Sequence, residues 1–357
     1  MVALIMAGGA GTRFWPKSRD HHPKQLLQII GSGTMLQSTV RRLQPIIPPD
    51  RVFIVCKQSH REAVAGQLPE VPRENIIIEP QGKNTAPCIG LAALFIQQRF
   101  GDEVMIVLPA DHLIGAEQNF RQTLLNAAKI AAEEKVLITI GIKPSFPATG
   151  YGYIQFSQET VSAGQASAWR VKTFAEKPNL ETAKVFLASG DFLWNSGIFV
   201  WRISTIREQF EEHLPQVHDG LLEISRHLGT PEEQDIIARV YQQIKSISID
   251  YGVMEKAKNV LVVLSNFEWN DLGSWDEVYK LSPKDKEQNA LCDGDHALVN
   301  TSGCLIDVAG KTVAAVGIRD LIVVETEDAL LLCPREHAQD VKEVVELLKR
   351  KKKMNLL

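Results

Sequence analysis

The feature that most constrains this chain is a glycine-rich turn directly after a short apolar run at its start. The apolar residues 2–6 are followed by Gly8-Gly9-Ala10-Gly11-Thr12-Arg13, and Pro23-Lys24-Gln25 comes soon after. A buried strand that opens into such a turn exposes backbone N–H groups, and glycine lets an anion approach them closely. Arg13 and Lys24 add positive charge that suits a polyphosphate. The pattern predicts a nucleotide-binding site.

Two common phosphate-binding motifs do not fit this turn. The Walker motif needs Gly-Lys-Ser/Thr after four intervening residues, and nothing between Gly8 and Lys24 supplies it. The dinucleotide motif begins at Gly9 and Gly11 but has Phe14 where its third glycine belongs. A tight connection with no ligand remains the alternative, because a glycine-rich turn alone is weak evidence.

The first half of the chain alternates apolar runs with segments of helical periodicity. This alternation predicts an α/β fold with a doubly wound, mostly parallel sheet, whose ligands bind beyond the carboxyl ends of the strands. Residues 8–13 and Asp111 each follow such a strand, so we expect them to open onto one crevice. Predicted strands cover residues 2–6, 52–55, 76–78, 104–108 and 136–140, and predicted helices cover 34–43, 86–100 and 119–134.

The chain of 357 residues exceeds the size at which one core usually stops growing, which predicts two domains. Helices and strands mix up to about residue 282, and then short apolar segments alternate with Gly, Asn and Asp turns. Repeated short strands with no helix between them predict a small β-helical or meander module that ends in a helix, and we expect it to be left-handed β-helix-like. We place the catalytic domain at residues 1–284 and the module at 285–357.

Composition narrows the class of protein further. The net charge of −4 gives no electrostatic reason to bind nucleic acid. No apolar stretch approaches the roughly 20 residues of a membrane span, so no membrane partner is expected. The five cysteines form no C-x-x-C pair, which favours a reducing compartment, and we expect a cytoplasmic protein.

The opening motif, which continues as Phe14-Trp15-Pro16 with Ser18-Arg19, resembles that of the sugar-1-phosphate nucleotidylyltransferase family. Within the family, the similarity is greatest to members that use GTP and mannose 1-phosphate. Lys17 departs from the pattern, since relatives usually carry an apolar residue there. Matching blocks follow in order at residues 79–87, 109–112, 149–154, 174–178 (Phe-Ala-Glu-Lys-Pro), 194–199 (Trp-Asn-Ser-Gly-Ile-Phe), 249–256 and 269–275.

The resemblance implies that the sugar phosphate attacks the α-phosphate of GTP and that pyrophosphate leaves. It implies Arg13, Lys24 and Asp111 as catalytic residues, and Asp111 with Asp271 as ligands of Mg²⁺. The implied nucleotide-binding residues are Ala7, Gly8, Gly9, Gly11, Thr12, Arg13, Glu79, Pro80, Asn84, Thr85, Ala86 and Pro109. The implied sugar-phosphate-binding residues are Gly150, Tyr151, Glu176, Lys177, Asn195, Ser196 and Asp250.

Each role has a structural alternative. An Asp after a strand is often a turn residue or a helix N-cap, and a lysine is often a solvated surface cation. Asp250 either serves the sugar or orients a loop. For the whole chain, the alternatives are an enzyme for another hexose 1-phosphate or base, and a catalytically silent regulatory subunit. A subunit of that kind is expected to lose the glycine-rich turn, Lys24 or the metal carboxylates, and this chain keeps them.

The resemblance also carries expectations about assembly. Relatives with a short C-terminal module resemble dimers built through it, so we expect a homodimer. A chain shortened near Ser282 is then expected to be a monomer that still binds GTP. The chain is too short to carry the fused isomerase domain of many bacterial relatives, and we expect no isomerase activity.

Overall fold

A computed structural model describes residues 1–292 and 294–357 of the chain. These residues divide into two compact units that each combine segments distant in sequence. The first unit comprises Met1–Gly8, Val40–Ala110 and Ile114–Trp269, and the second comprises Gly9–Thr39, Asp111–Leu113 and Asn270–Leu357. From Gly9 onward, the glycine-rich loop thus belongs to the same unit as the C-terminal segment. The predicted boundary between residues 284 and 285 concerns sequence segments and stays a prediction.

The first unit is built on a sheet of nine strands in the order β3-β2-β1-β4-β9-β6-β10-β8-β7. The neighbours β3, β2, β1 and β4 run parallel, as do β6 and β10, while β9 runs antiparallel between β4 and β6. The strands of the chain are β1 Val2–Met6, β2 Val52–Lys57, β3 Ile76–Glu79, β4 Val104–Pro109, β5 Leu113–Ile114, β6 Leu137–Ile142, β7 Gly152–Ala163, β8 Ala166–Glu176, β9 Phe192–Arg202, β10 Val260–Leu264, β11 Trp269–Asn270, β12 Ala290–Leu291, β13 Asp295–Val299, β14 Leu305–Asp307, β15 Thr312–Val316, β16 Leu321–Glu325 and β17 Leu330–Pro334.

The continuous apolar runs explain why the parallel strands are central, since a strand covered by helices on both faces needs apolar side chains in both directions. Strand β1 illustrates this, because Val2, Ala3, Leu4 and Ile5 are each 0% exposed. Helices cover the sheet, and the core of the unit joins strand residues with those of α3 and α6 to α8. The helices are α1 Met35–Leu43, α2 Arg61–Gln67, α3 Thr85–Phe100, α4 Glu117–Glu133, α5 Leu180–Ser189, α6 Ile203–His213, α7 Pro215–Ser225, α8 Glu233–Gln243, α9 Trp275–Leu281 and α10 Val341–Arg350.

The second unit joins the glycine-rich loop to a module of short strands. Strands β12, β14 and β16 pair in parallel, β17 adds an antiparallel edge, and β13 pairs in parallel with β15. Parallel stacking of short strands without intervening helices is the arrangement of a β-helix. Helix α10 closes the module and buries Val341 and Val345. A single core contains Phe14 and Trp15 of the loop together with Leu305, Ile322 and Val345 of the module.

The predicted α/β fold with a β-helix-like C-terminal module is confirmed, and the eight strands and helices predicted in the first half of the chain agree with those observed to within about two residues. The long β7–β8 hairpin was not predicted in full, because its outer half alternates irregularly and carries register shifts. Among the described residues, no helix combines the length and the apolar character that a membrane-spanning helix requires.

Candidate active site

The glycine-rich loop adopts a conformation that needs glycine at one position in particular. Gly11 has φ of +62°, and a Cβ placed there would overlap the Cβ of Lys24. Any other residue would therefore be both strained and too large. Residues Thr12–Phe14 then form a 3₁₀ helix. The Ser18 hydroxyl donates to the Ala10 carbonyl at 2.8 Å and closes the loop.

Lys24 is the central cation of this loop in the second unit. It is 4% exposed, and its ammonium donates to Asp111 Oδ2 at 2.7 Å and to the Asp271 carbonyl at 2.8 Å. The same ammonium lies 5.3 Å from the centre of the Phe14 ring. Burial opposes ionisation of Asp111, but the charges of Lys24 and His112 outweigh it and lower the pKa of this carboxyl. Asp111 is thus a carboxylate. It lies in a turn, as the structural alternative allows, but it does not cap a helix, since α4 begins only at Glu117.

The two predicted metal ligands fit a hard divalent cation. Two atoms that bind one ammonium at 2.7 and 2.8 Å lie no more than 5.5 Å apart, so Asp111 and Asp271 are neighbours. Gly273 leaves room for the second carboxylate, because a Cβ there would lie 3.1 Å from Asp271 Oδ2. Within residues 1–292 and 294–357, no three His, Cys, Asp or Glu side chains cluster as a metal site. Mg²⁺ usually takes only one or two protein carboxylates and completes its shell with phosphate oxygens and water.

Arg13 differs from Lys24 in its environment. Its side chain is exposed, and it forms no ion pair with any residue that the structure describes. Gly9 is also exposed, and Thr12 is partly exposed. These predicted nucleotide-binding residues are therefore accessible to solvent and to a ligand at the loop.

In the first unit, Glu79 is the buried charge nearest the start of the loop. It ends β3, it is 5% exposed, and its Oε2 lies 3.7 Å from where a Cβ of Gly8 would be. Burial raises the pKa of Glu79 to about 7, although contacts with the backbone of Lys83 and the hydroxyl of Tyr241 act against this. A carboxyl that is partly protonated near neutral pH can accept or donate a hydrogen bond.

The segment after Glu79 is anchored rather than loose. The Ala86 N–H donates to the Ile247 carbonyl at 3.1 Å, and the Thr85 hydroxyl accepts from the Ile249 N–H at 2.8 Å. Asn84, which is exposed, has φ of +69° and caps α3 by accepting from the Thr85 N–H. Pro80 is exposed as well. The exposed members, Pro80 and Asn84, are therefore the ones that offer surface to a ligand, whereas Ala86 is 0% exposed.

Ala7 and Pro109 stand at the ends of neighbouring strands. Ala7 is 2% exposed, and its N–H donates to the Val55 carbonyl at 2.9 Å. Pro109 ends β4 opposite Met6. The Ala7 N–H serves the sheet, so a nucleotide contact from this residue has to use another atom.

The predicted sugar-binding residues form a hydrogen-bonded chain in the first unit. The Asn195 amide donates to Asp250 Oδ1 at 2.9 Å, and its oxygen accepts from the Thr139 hydroxyl at 2.9 Å. Burial and the nearby charge of Glu176 raise the pKa of Asp250 to about 6. Asn195 is thereby held at both ends of its amide. Thr139 has no counterpart among the sequence predictions, because a threonine inside an apolar strand gives no signal of a polar role.

Glu176 and Lys177 lie beside this chain. Their side chains form an ion pair of 2.9 Å, with the Lys177 side chain 59% exposed and that of Glu176 11% exposed. Burial acts against the charge of Lys177, but Glu176 outweighs it and raises the pKa of the ammonium. Lys177 has φ of +50°, and its N–H donates to the Tyr151 carbonyl at 3.2 Å. A Cβ at Gly152 would overlap Glu176 Oε2, so a larger residue there would displace this carboxylate.

An aromatic cluster borders the same residues. The Tyr151 ring packs edge to face against Trp194 at 5.1 Å and Trp269 at 5.2 Å. Gly150 next to it is exposed. Ser196, in contrast, is 1% exposed and its hydroxyl accepts from the Ile198 N–H, so this geometry gives no support to its predicted sugar contact. Both tryptophans stand in the matched sequence blocks, and that signal was available from the sequence.

Comparisons with known proteins agree with this arrangement. The family model described as nucleotidyl transferase matches residues 2–288, and that described as the mannose-phosphate isomerase/GMP-like β-helix domain matches residues 294–348. Mannose-1-phosphate guanylyltransferases of Klebsiella pneumoniae and of Escherichia coli strain K12 are 38% and 40% identical to this chain. Each alignment covers 98% of this chain, and it covers 74% and 73% of the respective relative.

A solved structure is similar over its full length. The protein from Thermus thermophilus, described as mannose-1-phosphate geranyltransferase, has a TM-score of 0.85 and 35% sequence identity. The match covers 98% of this chain and 99% of that one. The chain therefore belongs to the nucleotidyl transferase family and, within it, to the group of the mannose-1-phosphate guanylyltransferases.

Proposed function

We propose that this protein transfers a guanylyl group from GTP to α-D-mannose 1-phosphate and forms GDP-mannose and pyrophosphate. The observation that carries the proposal is the placement of Lys24 between Asp111 and Asp271 beside the glycine-rich loop. A silent subunit has no need for a buried ammonium held by the Asp111 carboxylate and the Asp271 backbone carbonyl beside a glycine-rich turn. The names of the relatives supply the base and the sugar.

The reaction joins two anions, so the protein has to neutralise charge and hold geometry rather than supply a nucleophile. A phosphate oxygen of the sugar phosphate forms a bond to the α-phosphorus of GTP as the bond to the leaving pyrophosphate breaks. Lys24 is rigidly placed to stabilise charge that develops on the α-phosphate. Arg13, which is exposed, can reach the outer phosphates of the triphosphate.

Members of this family generally use a divalent metal ion, and we propose Mg²⁺ held by Asp111 and Asp271. Such an ion neutralises and polarises phosphate oxygens when bound. The Lys24 ammonium binds Asp111 through Oδ2. Asp111 thus contacts lysine through one oxygen, and we assign its second oxygen to the cation.

The sugar half of the proposal depends on the fixed amide of Asn195 and the carboxylates around it. A sugar needs donors and acceptors in fixed directions, and Asn195, Glu176 and Asp250 provide both. Lys177, largely exposed and paired with its neighbour Glu176, can exchange this pair for the sugar phosphate. The Tyr151 cluster offers an apolar face to the ring.

We propose that Glu79 contributes to selection of guanine. Guanine presents N1–H and N2–H donors, whereas adenine lacks this pair, and a carboxylate accepts from both. In its ionised form the buried Glu79 carboxyl favours guanine, because a base without these donors leaves a buried acceptor unpaired.

Pyrophosphate release tests the proposal. The full chain is incubated with Mg²⁺ and with each combination of ATP, CTP, GTP or UTP and mannose, glucose or galactose 1-phosphate. We expect release with GTP and mannose 1-phosphate at least tenfold above every other pair. A higher rate with another base or sugar would reassign the substrate, and no release with any pair would favour the regulatory subunit.

We further propose a cytoplasmic homodimer that forms through the C-terminal module. Val299 and Val316 pair in register on β13 and β15 and are 54% and 69% exposed, and Leu330 and Leu332 on β17 are 54% and 62% exposed. Exposed apolar strand faces favour association. Light scattering should give about twice the chain mass of 39.7 kDa, and Val316→Glu should shift it toward the single-chain mass. A wild-type mass of one chain would refute the dimer.

A further inference from the structure

We propose that the module of residues 290–357 positions the glycine-rich loop, acting through Trp15, Lys17 and Arg19 as positioning residues. The inference rests on the proposed role of this loop in binding the nucleotide phosphates. It assigns the module a function in the reaction beyond assembly. All of the contacts that carry it lie within the second unit.

Trp15 is held from two sides. Its indole N–H donates to the Leu356 carbonyl at 2.9 Å, and its own carbonyl accepts from the Trp275 indole N–H at 3.1 Å. The residue is 7% exposed and lies in the core that contains Leu305 and Ile322 of the module. Trp15 follows the 3₁₀ helix of the loop directly, so the module sets where that helix ends.

Two ion pairs add to this attachment. The Lys17 ammonium binds Asp307 at 2.5 Å on β14, and the Arg19 guanidinium binds Asp328 at 2.7 Å after β16. The Arg19 side chain is only 7% exposed, and its Nε also donates to the Pro16 carbonyl. Both cations are thus directed to the module. Asp307 accounts for a cation at position 17.

The attached residues are connected to the phosphate-binding atoms by short steps. Ser18 lies between Lys17 and Arg19, and its hydroxyl donates to the Ala10 carbonyl. Gly11 packs directly against Lys24 with no space for a Cβ. A shift of residues 15–19 therefore moves the loop backbone and Lys24 together. Misplacement of a catalytic group by about 1 Å can cost about 10²-fold in rate.

The test removes both carboxylates that face the loop cations, in the double variant Asp307→Asn with Asp328→Asn. Glu325→Gln is the matched control, because Glu325 pairs with Lys311 inside the module and its side chain is 16% exposed, as is that of Asp307. We expect kcat to fall at least tenfold in the double variant with KM for mannose 1-phosphate within threefold, and the control to keep wild-type kcat. The conservative variant Asp307→Glu with Asp328→Glu should recover most of the loss.

A second readout needs no substrate. Hydrogen exchange of the backbone amides of residues 8–14 should be faster in the double variant and unchanged in the control, while β1–β4 stay protected in both. If wild-type protein releases no pyrophosphate, the proposed function fails, and the exchange still decides the positioning role. If the double variant does not fold, Trp15→Phe removes the donor to Leu356, keeps an aromatic ring and is expected to give the same two changes. Wild-type kcat together with wild-type exchange in these variants would overturn the inference.

Discussion

Replacement of Lys24 by methionine is the most informative single change, because it removes the ammonium and keeps an unbranched apolar stem. Lys24 is 4% exposed and bridges the Asp111 carboxylate and the Asp271 carbonyl. In Lys24→Met, both acceptors lose their donor. The change is therefore expected to lower both the free energy of unfolding and kcat, and the burial and contacts of Lys24 indicate the size of each effect.

For stability, breaking a fully buried ion pair costs about 3–5 kcal/mol, since one charge stays buried without a partner. The Asp111 side chain is 35% exposed, so water replaces part of the lost contact. We expect the free energy of unfolding to fall by about 1–3 kcal/mol. The variant should remain folded at 25 °C, which urea unfolding measures.

For catalysis, loss of one preorganised donor aimed at developing charge costs about 10²–10³-fold in kcat. We expect this loss in pyrophosphate release at saturating GTP and mannose 1-phosphate. The KM for mannose 1-phosphate should change by less than about threefold, because an interaction made mainly in the transition state affects kcat.

Lys177→Met is the matched control, since it makes the same chemical change in the first unit. The Lys177 side chain is 59% exposed, and an exposed ion pair contributes only about 0–1 kcal/mol, so stability should hardly change. Its expected effect is a raised KM for mannose 1-phosphate with kcat largely retained. A normal kcat in folded Lys24→Met, or the reverse pattern in the two variants, would refute the assigned roles.

Three further outcomes are expected. Asp111→Asn should lower pyrophosphate release by about 10–100-fold and keep the fold, because its amide oxygen still accepts from Lys24; near-normal turnover would exclude it as a metal ligand. Burial raises the pKa of Glu79 from about 4.5 to about 7, so ionisation of this carboxyl disfavours the folded state, and the free energy of unfolding should fall by about 3 kcal/mol between pH 4.5 and 7 and then level off. Urea unfolding of Glu79→Gln should lack this fall. Equal pH dependence in the wild type and the variant would contradict the raised pKa. A chain that ends near Ser282 lacks Leu305, Ile322 and Val345, which pack in the same core as Trp15. It should therefore lose GTP binding, measured by calorimetry, whereas the sequence predicts that binding is retained. Retained affinity would show that the loop is independent of the module.

Local pattern accounts for the parts of this protein that the sequence predicts well. The continuous apolar runs of β1, β2 and β4 identify buried parallel strands, because such strands need apolar side chains on both faces. The residue types of the loop predict a phosphate site, because glycine supplies conformational freedom to the backbone and lysine supplies positive charge. The alternation of short strands with turns identifies the C-terminal module.

Sequence pattern by itself determined which segments of this chain become strands, helices and a glycine-rich turn, since neighbouring residues decide those outcomes. The tertiary structure alone decided the pairing of Lys24 with Asp111, which lie 87 residues apart, and that of Trp15 with Leu356, which lie 341 residues apart. It also decided the raised pKa of Glu79, which arises from the burial of this side chain at the end of β3. Contacts of this kind depend on how elements far apart in sequence pack together, and the local periodicity of the chain does not specify that packing.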